Sequence, residues 1–380
     1  MSHAPSPALE RRHRTIRTAL SDLGLDAIVV TSMPNVLYLT NFTGSSAILV
    51  LTPDAVHFLT DFRYVTTVRE TQESASACPG LDLIRIEGSY DAALAGVLAS
   101  LPIAKVGFEA AHLTVSRHQW LARTLPHGAS SGPELVPTEG VVERARAIKD
   151  AYEIDTLREA GRRLSAVARE AVREVRRGRS EEEVAHAIDA RILAAGFSRT
   201  AFETIVAGGP NAALPHAHPG KRTFDEGDLV VLDFGGVYDS YCVDLTRTVS
   251  VGPAGRRQRE VYAAVLDAHD RAIAAVEPGT SRFDIDAAAR STLAGYGLAE
   301  AFGHGTGHGL GVEVHEDPRI TRRHPDVDGR DEAVAAGMVF TIEPGAYLPT
   351  WGGVRIEDDV LVTPAGVELL TDAPTDLIEI

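Results

Sequence analysis

Residues 229–249 (LVVLDFGGVYDSYCVDLTRTV) restrict the fold most, because two carboxylates interrupt a long run of strand-forming residues. Asp233 lies inside the first apolar segment, and Asp244 follows eleven positions later in a second one. Gly235 and Gly236 are predicted to mark the loop between the two strands. A carboxylate among valine, leucine and phenylalanine is costly unless a cation compensates it. Taken alone, the segment favours two separate turn or salt-bridge aspartates over a shared site.

Two glutamates further along the chain show the same anomaly. In MVFTIEPGAY, the alternation of a strand places Glu343 on the side opposite Phe340 and Ile342. In GGVRIEDDVLV, Glu357 alternates in the same way with Ile356. Four acids on the sheet faces of one domain are hard to explain as four separate salt bridges, so the pattern indicates one shared site.

A glycine-rich segment, residues 302–316 (FGHGTGHGLGVEVHE), supplies histidine. The segment lacks the GK[ST] signature and no helix is predicted after it, so phosphate binding is not indicated. Alternating glycines instead allow the backbone to approach a crowded site, and leave His304 and His308 as the main side chains. From spacing alone, His308 is equally well explained as a metal ligand or as a hydrogen-bonded structural histidine.

Charge counting favours metal. Four carboxylates carry about four negative charges, which two divalent cations neutralise and no nearby basic cluster does. Oxygen ligands with one imidazole suit Mn²⁺, Co²⁺ or Fe²⁺ better than a structural Zn²⁺, which requires cysteines. The two cysteines, Cys78 and Cys242, lie too far apart in the sequence for a zinc knuckle. Two ions roughly 3.5 Å apart can share a hydroxide nucleophile and polarise a carbonyl group.

Composition excludes several classes of function. The formal net charge of −16 argues against nucleic acid as the main partner. The arginine-rich residues 158–179 contain an apolar stripe and interleaved glutamates, which predicts an amphipathic helix with an ion-paired outer face. No apolar run is long enough for a membrane-spanning helix, and no signal-peptide pattern is present. These features predict a cytoplasmic protein.

The order of predicted elements indicates two domains. Residues 1–140 alternate strands (26–31, 46–51, 56–60, 82–86 and 105–108) with helices, as a small α/β domain does. The pattern breaks at residues 134–140, and a long helix is predicted from about 149 to 178. Residues 141–380 segregate helices from strands, which predicts an α+β domain with an antiparallel sheet.

The ordered set of Asp233, Asp244, His308, Glu343 and Glu357 resembles the pita-bread metallopeptidase family. That family includes methionine aminopeptidases, aminopeptidase P, prolidases and the metal-free creatinases. The segments VLYLTNFTG and FLTDFRY resemble the creatinase/prolidase N-terminal domain, so the resemblance covers nearly the whole chain. Methionine aminopeptidases lack that domain, which favours the proline-specific branch.

The resemblance implies a role for each ligand in a pair of divalent ions, with Mn²⁺ expected and Co²⁺, Zn²⁺ or Fe²⁺ also compatible. Asp233 would bind one metal ion, and Asp244 and Glu357 would bridge both. His308 and Glu343 would bind the other ion. Glu343 would also shuttle the proton of the bridging hydroxide.

Four further residues receive roles from the same resemblance. His216, in LPHAHPG, matches the histidine that steadies the scissile carbonyl as it becomes an oxyanion. His315 matches a second histidine near the leaving side, and His304 matches one that lines the proline pocket. Arg355 matches a substrate-contacting arginine, although it could instead be an ion-pair partner for a nearby acid.

The resemblance implies an exopeptidase that acts on small peptides with proline in the second position. An Xaa-Pro aminopeptidase is slightly favoured over an Xaa-Pro dipeptidase (prolidase). A metal-free creatinase-like hydrolase and a non-enzymatic binding protein of the same fold are less favoured than either peptidase. A homodimer is expected, since members of the family are commonly dimers.

Overall fold

A computed structural model describes residues 3–125, 132–323 and 333–380. The chain divides by its internal contacts into two compact units, residues 1–146 and 147–380. Among the helices of the described residues, none combines the length and the apolarity that crossing a bilayer requires.

The N-terminal unit alternates helices and strands. Its helices are α1 (Ser6–Asp22), α2 (Met33–Thr40), α3 (Phe62–Gln72), α4 (Tyr90–Ser100), α5 (Val115–Thr124) and α6 (Val141–Ala147). Its strands are β1 (Ala27–Val30), β2 (Ile48–Leu51), β3 (Val56–Asp61), β4 (Leu81–Ile86), β5 (Lys105–Glu109) and β6 (Glu134–Thr138).

These six strands form one mixed sheet in the order β4-β3-β2-β1-β5-β6. The central strand β1 (AIVV) is buried along its whole length, as expected for a continuous apolar run. The sequence indicated a break at residues 134–140, but residues 134–138 are a strand that pairs in parallel with β5. Pro137 hides this strand from pattern reasoning, and it is tolerated because β6 is at the edge of the sheet.

The C-terminal unit separates helices from strands. Its helices are α7 (Ala151–Ala171), α8 (Glu181–Ala194), α9 (Arg256–Ala274) and α10 (Arg282–Gly295), with 3-10 turns at Val172–Glu174, Gly209–Ala213 and Ala299–Ala301. Its strands are β7 (Arg199–Thr200), β8 (Ile205–Gly208), β9 (Leu229–Tyr238), β10 (Tyr241–Ser250), β11 (Gly307–Gly309), β12 (Glu316–Ile320), β13 (Val339–Ile342), β14 (Gly345–Leu348), β15 (Gly352–Arg355), β16 (Asp358–Thr363), β17 (Gly366–Leu369) and β18 (Ile378–Glu379).

Helix α7 confirms the amphipathic interpretation of the arginine-rich segment. Leu157 and Leu164 are fully buried on its inner face. On its outer face Arg162 pairs with Glu159 at 2.8 Å, and further arginines have acidic partners of the same kind. The α-helix ends at Ala171, earlier than predicted, because the chain tightens into a 3-10 turn there.

The hairpin of β9 and β10 corrects one detail of the sequence interpretation. Gly235 and Gly236 were predicted in the loop but lie inside β9, and the two-residue turn is Asp239-Ser240, with φ of 49° and 73°. Both turn residues adopt the left-handed conformation that tight hairpins require. The glycines are needed for packing instead, because a Cβ on Gly235 would lie 2.5 Å from the Val243 carbonyl oxygen.

Two sheets and a short hairpin bring the remaining acids to this β9–β10 hairpin. One sheet has the strand order β18-β10-β9-β7, and β8 also pairs with β9. The other sheet has the strand order β12-β11-β13-β16-β17. Apart from the parallel β10–β18 pair, the paired strands of this unit are antiparallel. Glu357, between β15 and β16, forms a backbone bridge with Thr246 of β10. The α+β class predicted for residues 141–380 is confirmed.

Candidate metal centre

A cavity of about 510 Å³ in the C-terminal unit collects the residues that the sequence singled out. Its volume is in the range of small-molecule sites. All nine candidate residues line it: His216, Asp233, Asp244, His304, His308, His315, Glu343, Arg355 and Glu357. The structure therefore brings the set together, whereas the role of each residue remains a prediction.

The hairpin register explains how Asp233 and Asp244 share one wall of the cavity. Asp244 lies opposite Gly235, and Thr246 lies opposite Asp233 in the antiparallel pair. Residues at alternate positions of paired strands face the same side, so both carboxylates point to the same face of the sheet. Both residues are buried, with only 8% and 5% of their surface exposed.

Glu357 is held against the hairpin by Thr246. The Thr246 hydroxyl donates to Oε2 of Glu357 at 2.5 Å, and the Glu357 amide donates to the Thr246 carbonyl oxygen at 3.1 Å. Arg247, the next residue in β10, donates to the Glu357 carbonyl oxygen at 2.6 Å. These contacts fix both the backbone and the carboxylate of Glu357, which a ligand of defined geometry requires.

His308 faces Glu343 across the cavity. Its Nδ1 donates to the Gly309 carbonyl oxygen at 3.1 Å, so that the lone pair is on Nε2. This Nε2 lies 3.5 Å from Oε1 of Glu343. Burial, together with the nearby His315, lowers the pKa of His308 to about 3. The imidazole is therefore neutral at pH 7, which is the form that binds metal.

Within the described chain, the carboxylates have buried oxygens without hydrogen-bond donors, as is expected at a cation site. Ligand atoms of Asp244, His308 and Glu357 all lie within 4.8 Å of one another. Among hydrogen bonds between described residues, Oδ1 of Asp233 and Oδ1 of Asp244 are buried without a partner. Burial and the neighbouring acids Glu357 and Asp233 raise the pKa of Asp244 well above its usual value. Divalent ions fit this donor set of oxygens and one imidazole.

Arg355 begins a chain of buried polar contacts that leads away from the carboxylates. Its guanidinium forms an ion pair with Asp233 and donates to the Tyr347 hydroxyl at 2.8 Å. Because Nδ1 of His304 donates to the Gly305 carbonyl oxygen, Nε2 accepts from Tyr347 at 2.9 Å. The ion-pair interpretation of Arg355 is thus what the geometry shows, and substrate contact stays a prediction.

This single arginine does not remove the need for metal. The described part of the chain pairs Asp233 with a guanidinium, but gives Asp244 and Glu357 no arginine or lysine within ion-pair distance. Burial raises the pKa of Glu343 to about 8, and the charge of Asp233 adds to this effect. Three of the four acids therefore still require compensation.

Two predicted histidines lie at the more open part of the cavity. His216 and His315 are exposed, and the His315 ring lies 4.4 Å from that of His308, centroid to centroid. Arg319 of β12 also lines the cavity, opposite His308 in the strand register. Within the described residues, no carboxylate lies within ion-pair distance of its guanidinium. Sequence reasoning missed both Arg319 and Tyr347, since only the tertiary fold brings them to the site.

Comparisons with known proteins agree with this geometry. The Metallopeptidase family M24 matches residues 155–364, and the Creatinase/Prolidase N-terminal domain matches residues 12–148. The chain is 32% identical to an Xaa-Pro dipeptidase of Pyrococcus horikoshii over 93% of its length and 95% of that protein.

Two solved structures are similar over almost the entire chain. An Xaa-Pro dipeptidase from Bacillus anthracis superposes with a TM-score of 0.90 at 34% identity, covering 98% of this chain and 100% of that one. An X-Pro aminopeptidase from Thermotoga maritima superposes with a TM-score of 0.84 at 29% identity, covering 95% and 100%. Together with the buried carboxylate cavity, these similarities show that the chain belongs to metallopeptidase family M24 and carries the creatinase/prolidase N-terminal domain.

Proposed function

We propose that this protein is an Xaa-Pro dipeptidase that depends on two divalent metal ions. The observation that carries the proposal is the cavity lined by four buried acids, by the neutral His308 and by Arg319, whose guanidinium has no carboxylate partner among the described residues. The sequence slightly favoured an Xaa-Pro aminopeptidase, but relatives similar over nearly the whole chain are named Xaa-Pro dipeptidases. Mn²⁺ is the proposed ion, because the donors are mostly oxygen.

Five side chains would hold the metal ions: Asp233, Asp244, His308, Glu343 and Glu357. When bound, the ions would supply a hydroxide nucleophile at neutral pH and polarise the scissile carbonyl. Glu343 would receive the proton of the attacking water and deliver it to the leaving nitrogen of proline. That delivery is required because the nitrogen leaves as an amine and must gain a proton as the C–N bond breaks.

The histidines of the cavity would act as hydrogen-bond donors and as pocket walls. Burial lowers the pKa of His315, so its ring stays uncharged near pH 7 and can donate a hydrogen bond near the leaving side of the scissile bond. His216 lines the same cavity and is proposed to donate to the carbonyl oxygen that becomes negative. Burial also lowers the pKa of His304 to about 4, and its hydrogen bond with Tyr347 holds the ring in the orientation in which it would line the proline pocket.

Arg319 favours a dipeptide over a longer peptide. An Xaa-Pro dipeptide ends in a carboxylate directly after the proline ring, whereas a longer peptide has a neutral amide there. A guanidinium without an acidic partner is suited to bind that carboxylate by charge-assisted hydrogen bonds. We therefore propose that Arg319 recognises the carboxyl end of the substrate.

The test compares substrate length on protein stripped of metal and reloaded with Mn²⁺. We expect hydrolysis of Xaa-Pro dipeptides with a kcat/KM at least 100-fold above that for Xaa-Pro-Yaa-Zaa tetrapeptides. A matched Xaa-Ala dipeptide controls for the requirement for proline.

Cleavage of the tetrapeptide with a similar kcat/KM would overturn the dipeptidase in favour of an aminopeptidase, which the Thermotoga maritima similarity makes the second candidate. Failure to hydrolyse either peptide with Mn²⁺, Co²⁺ or Zn²⁺ would refute both peptidase proposals.

A further inference from the structure

We propose that Lys149 is a positioning residue for catalysis, acting on His315 through a buried ion pair with Glu316. This inference rests on the proposed function. Nζ of Lys149 lies 3.5 Å from Oε2 of Glu316, and the two side chains are only 1% and 5% exposed. Charged side chains are seldom buried so completely, and a buried ion pair often costs as much free energy as it contributes. A role beyond stability would explain why these two charges are buried together.

Glu316 lies at the base of the loop that carries His315. It pairs with Gly309 where β11 and β12 join. Its Oε1 accepts from the Glu313 amide at 2.8 Å, and a Cβ on Gly311 would lie 3.0 Å from its Oε2. The carboxylate thus turns back into its own loop and fixes the path of the backbone. The absence of a side chain at Gly311 makes room for this carboxylate.

The backbone at Lys149 is itself held in place. Its amide donates to the Gly337 carbonyl oxygen at 2.8 Å. Gly337 has φ of 93°, a conformation that favours glycine, and a Cβ there would approach Ile148. The next residue, Asp150, caps helix α7 through a reciprocal pair of hydrogen bonds with Glu153.

The loop connects this ion pair to the site. His315 is the residue immediately before Glu316, and its ring contacts that of His308 at 4.4 Å. Removal of the lysine charge takes a counter-charge away from a buried carboxylate, which favours movement of the carboxylate toward water. Because Glu316 is joined directly to His315, such movement displaces the His315 ring, which is proposed to act near the leaving side of the scissile bond. A displacement of about 1 Å is enough to lower the rate substantially.

The experiment compares Lys149→Met, Glu316→Gln, the double variant and Lys149→Arg, with kinetics on an Xaa-Pro dipeptide. We expect kcat to fall about tenfold in Lys149→Met while KM stays within twofold. Glu316→Gln in the same chain should restore kcat to within threefold of wild type, because the buried negative charge of Glu316 is gone. Lys149→Arg, which keeps the charge, should also stay within threefold.

Amide hydrogen exchange gives a readout that does not depend on activity. Lys149→Met should increase the exchange rate of the Glu313 amide, which donates to Glu316, and leave strand β13 unchanged. The matched control is Arg191→Met, which removes a partner of the part-buried Glu174 outside the cavity and should leave kcat unchanged.

Unchanged exchange in the loop of a folded Lys149→Met protein would overturn the positioning role, even if no Xaa-Pro peptide is hydrolysed. Equal loss of kcat in the single and double variants would overturn it as well. If Lys149→Met does not fold, Glu316→Gln carries the test, since it weakens the same pair from the other side and should increase exchange at Glu313.

Discussion

Replacement of Thr246 by valine tests how the fold prepares a metal ligand. The hydroxyl donates to Oε2 of Glu357 at 2.5 Å, and the residue is completely buried. Valine has nearly the same shape but cannot donate, and water cannot reach the position to replace the hydroxyl. A hydrogen bond to a charged group contributes about 1.5–3 kcal/mol. Since about 1.4 kcal/mol corresponds to a factor of ten, we expect Mn²⁺ affinity to fall roughly 10- to 100-fold.

Isothermal titration of Mn²⁺ into metal-free protein measures this change directly. The matched control is Thr204→Val, because the Thr204 hydroxyl donates to Oδ1 of Asp189 at 2.6 Å and the residue is only 3% exposed. Asp189 is not among the predicted ligands, so this variant should lose stability while its Mn²⁺ affinity stays within threefold of wild type. A Thr246→Val protein that binds Mn²⁺ as tightly as wild type would refute the reasoning.

Two further predictions concern pH and substrate charge. Burial raises the pKa of Glu343 from its usual 4.5 to about 8, so the folded metal-free protein holds a proton that the unfolded chain has released. Its free energy of unfolding should therefore fall as pH rises from 6.5 to 8. Buried histidines with a lowered pKa, such as His308, have the opposite effect, but only at pH values below this window. Urea unfolding at both pH values measures this, saturating Mn²⁺ should abolish the fall, and greater metal-free stability at pH 8 would contradict it. Separately, Arg319→Gln should raise KM for an Xaa-Pro dipeptide about 10- to 100-fold, by loss of a charge-assisted contact, and leave the Xaa-Pro amide unaffected. An equal effect on the amide would show that Arg319 does not bind the carboxylate.

The buried acids could be predicted because their sequence context is itself unusual. Glu343 and Glu357 keep the alternation of a strand and lie on the side opposite its apolar residues, and the fold brings both to the cavity. Asp233 and Asp244 lie in two predicted strands, and their antiparallel pairing follows from a short connection. Local pattern therefore indicated which residues share the site.

Other features depend on contacts that no local pattern encodes. A glycine in a turn and a glycine beneath a neighbouring chain give the same sequence signal, so Gly235 and Gly236 were wrongly predicted in the loop. Tyr347 lies only four residues after Glu343, but its role depends on Arg355 eight residues later in the facing strand. Arg319 is recognised only when the register places it opposite His308.

The most direct measurement counts the manganese that the folded protein retains. Metal-free protein is incubated with Mn²⁺, passed through a desalting column and analysed by elemental analysis, in parallel with an Asp244→Asn, Glu357→Gln double variant. We expect two Mn²⁺ per wild-type chain and almost none in the variant. The variant should also unfold at a higher temperature than the metal-free wild type, because two buried acids have been replaced by neutral amides. Wild-type protein that retains no more Mn²⁺ than the folded double variant would contradict the account.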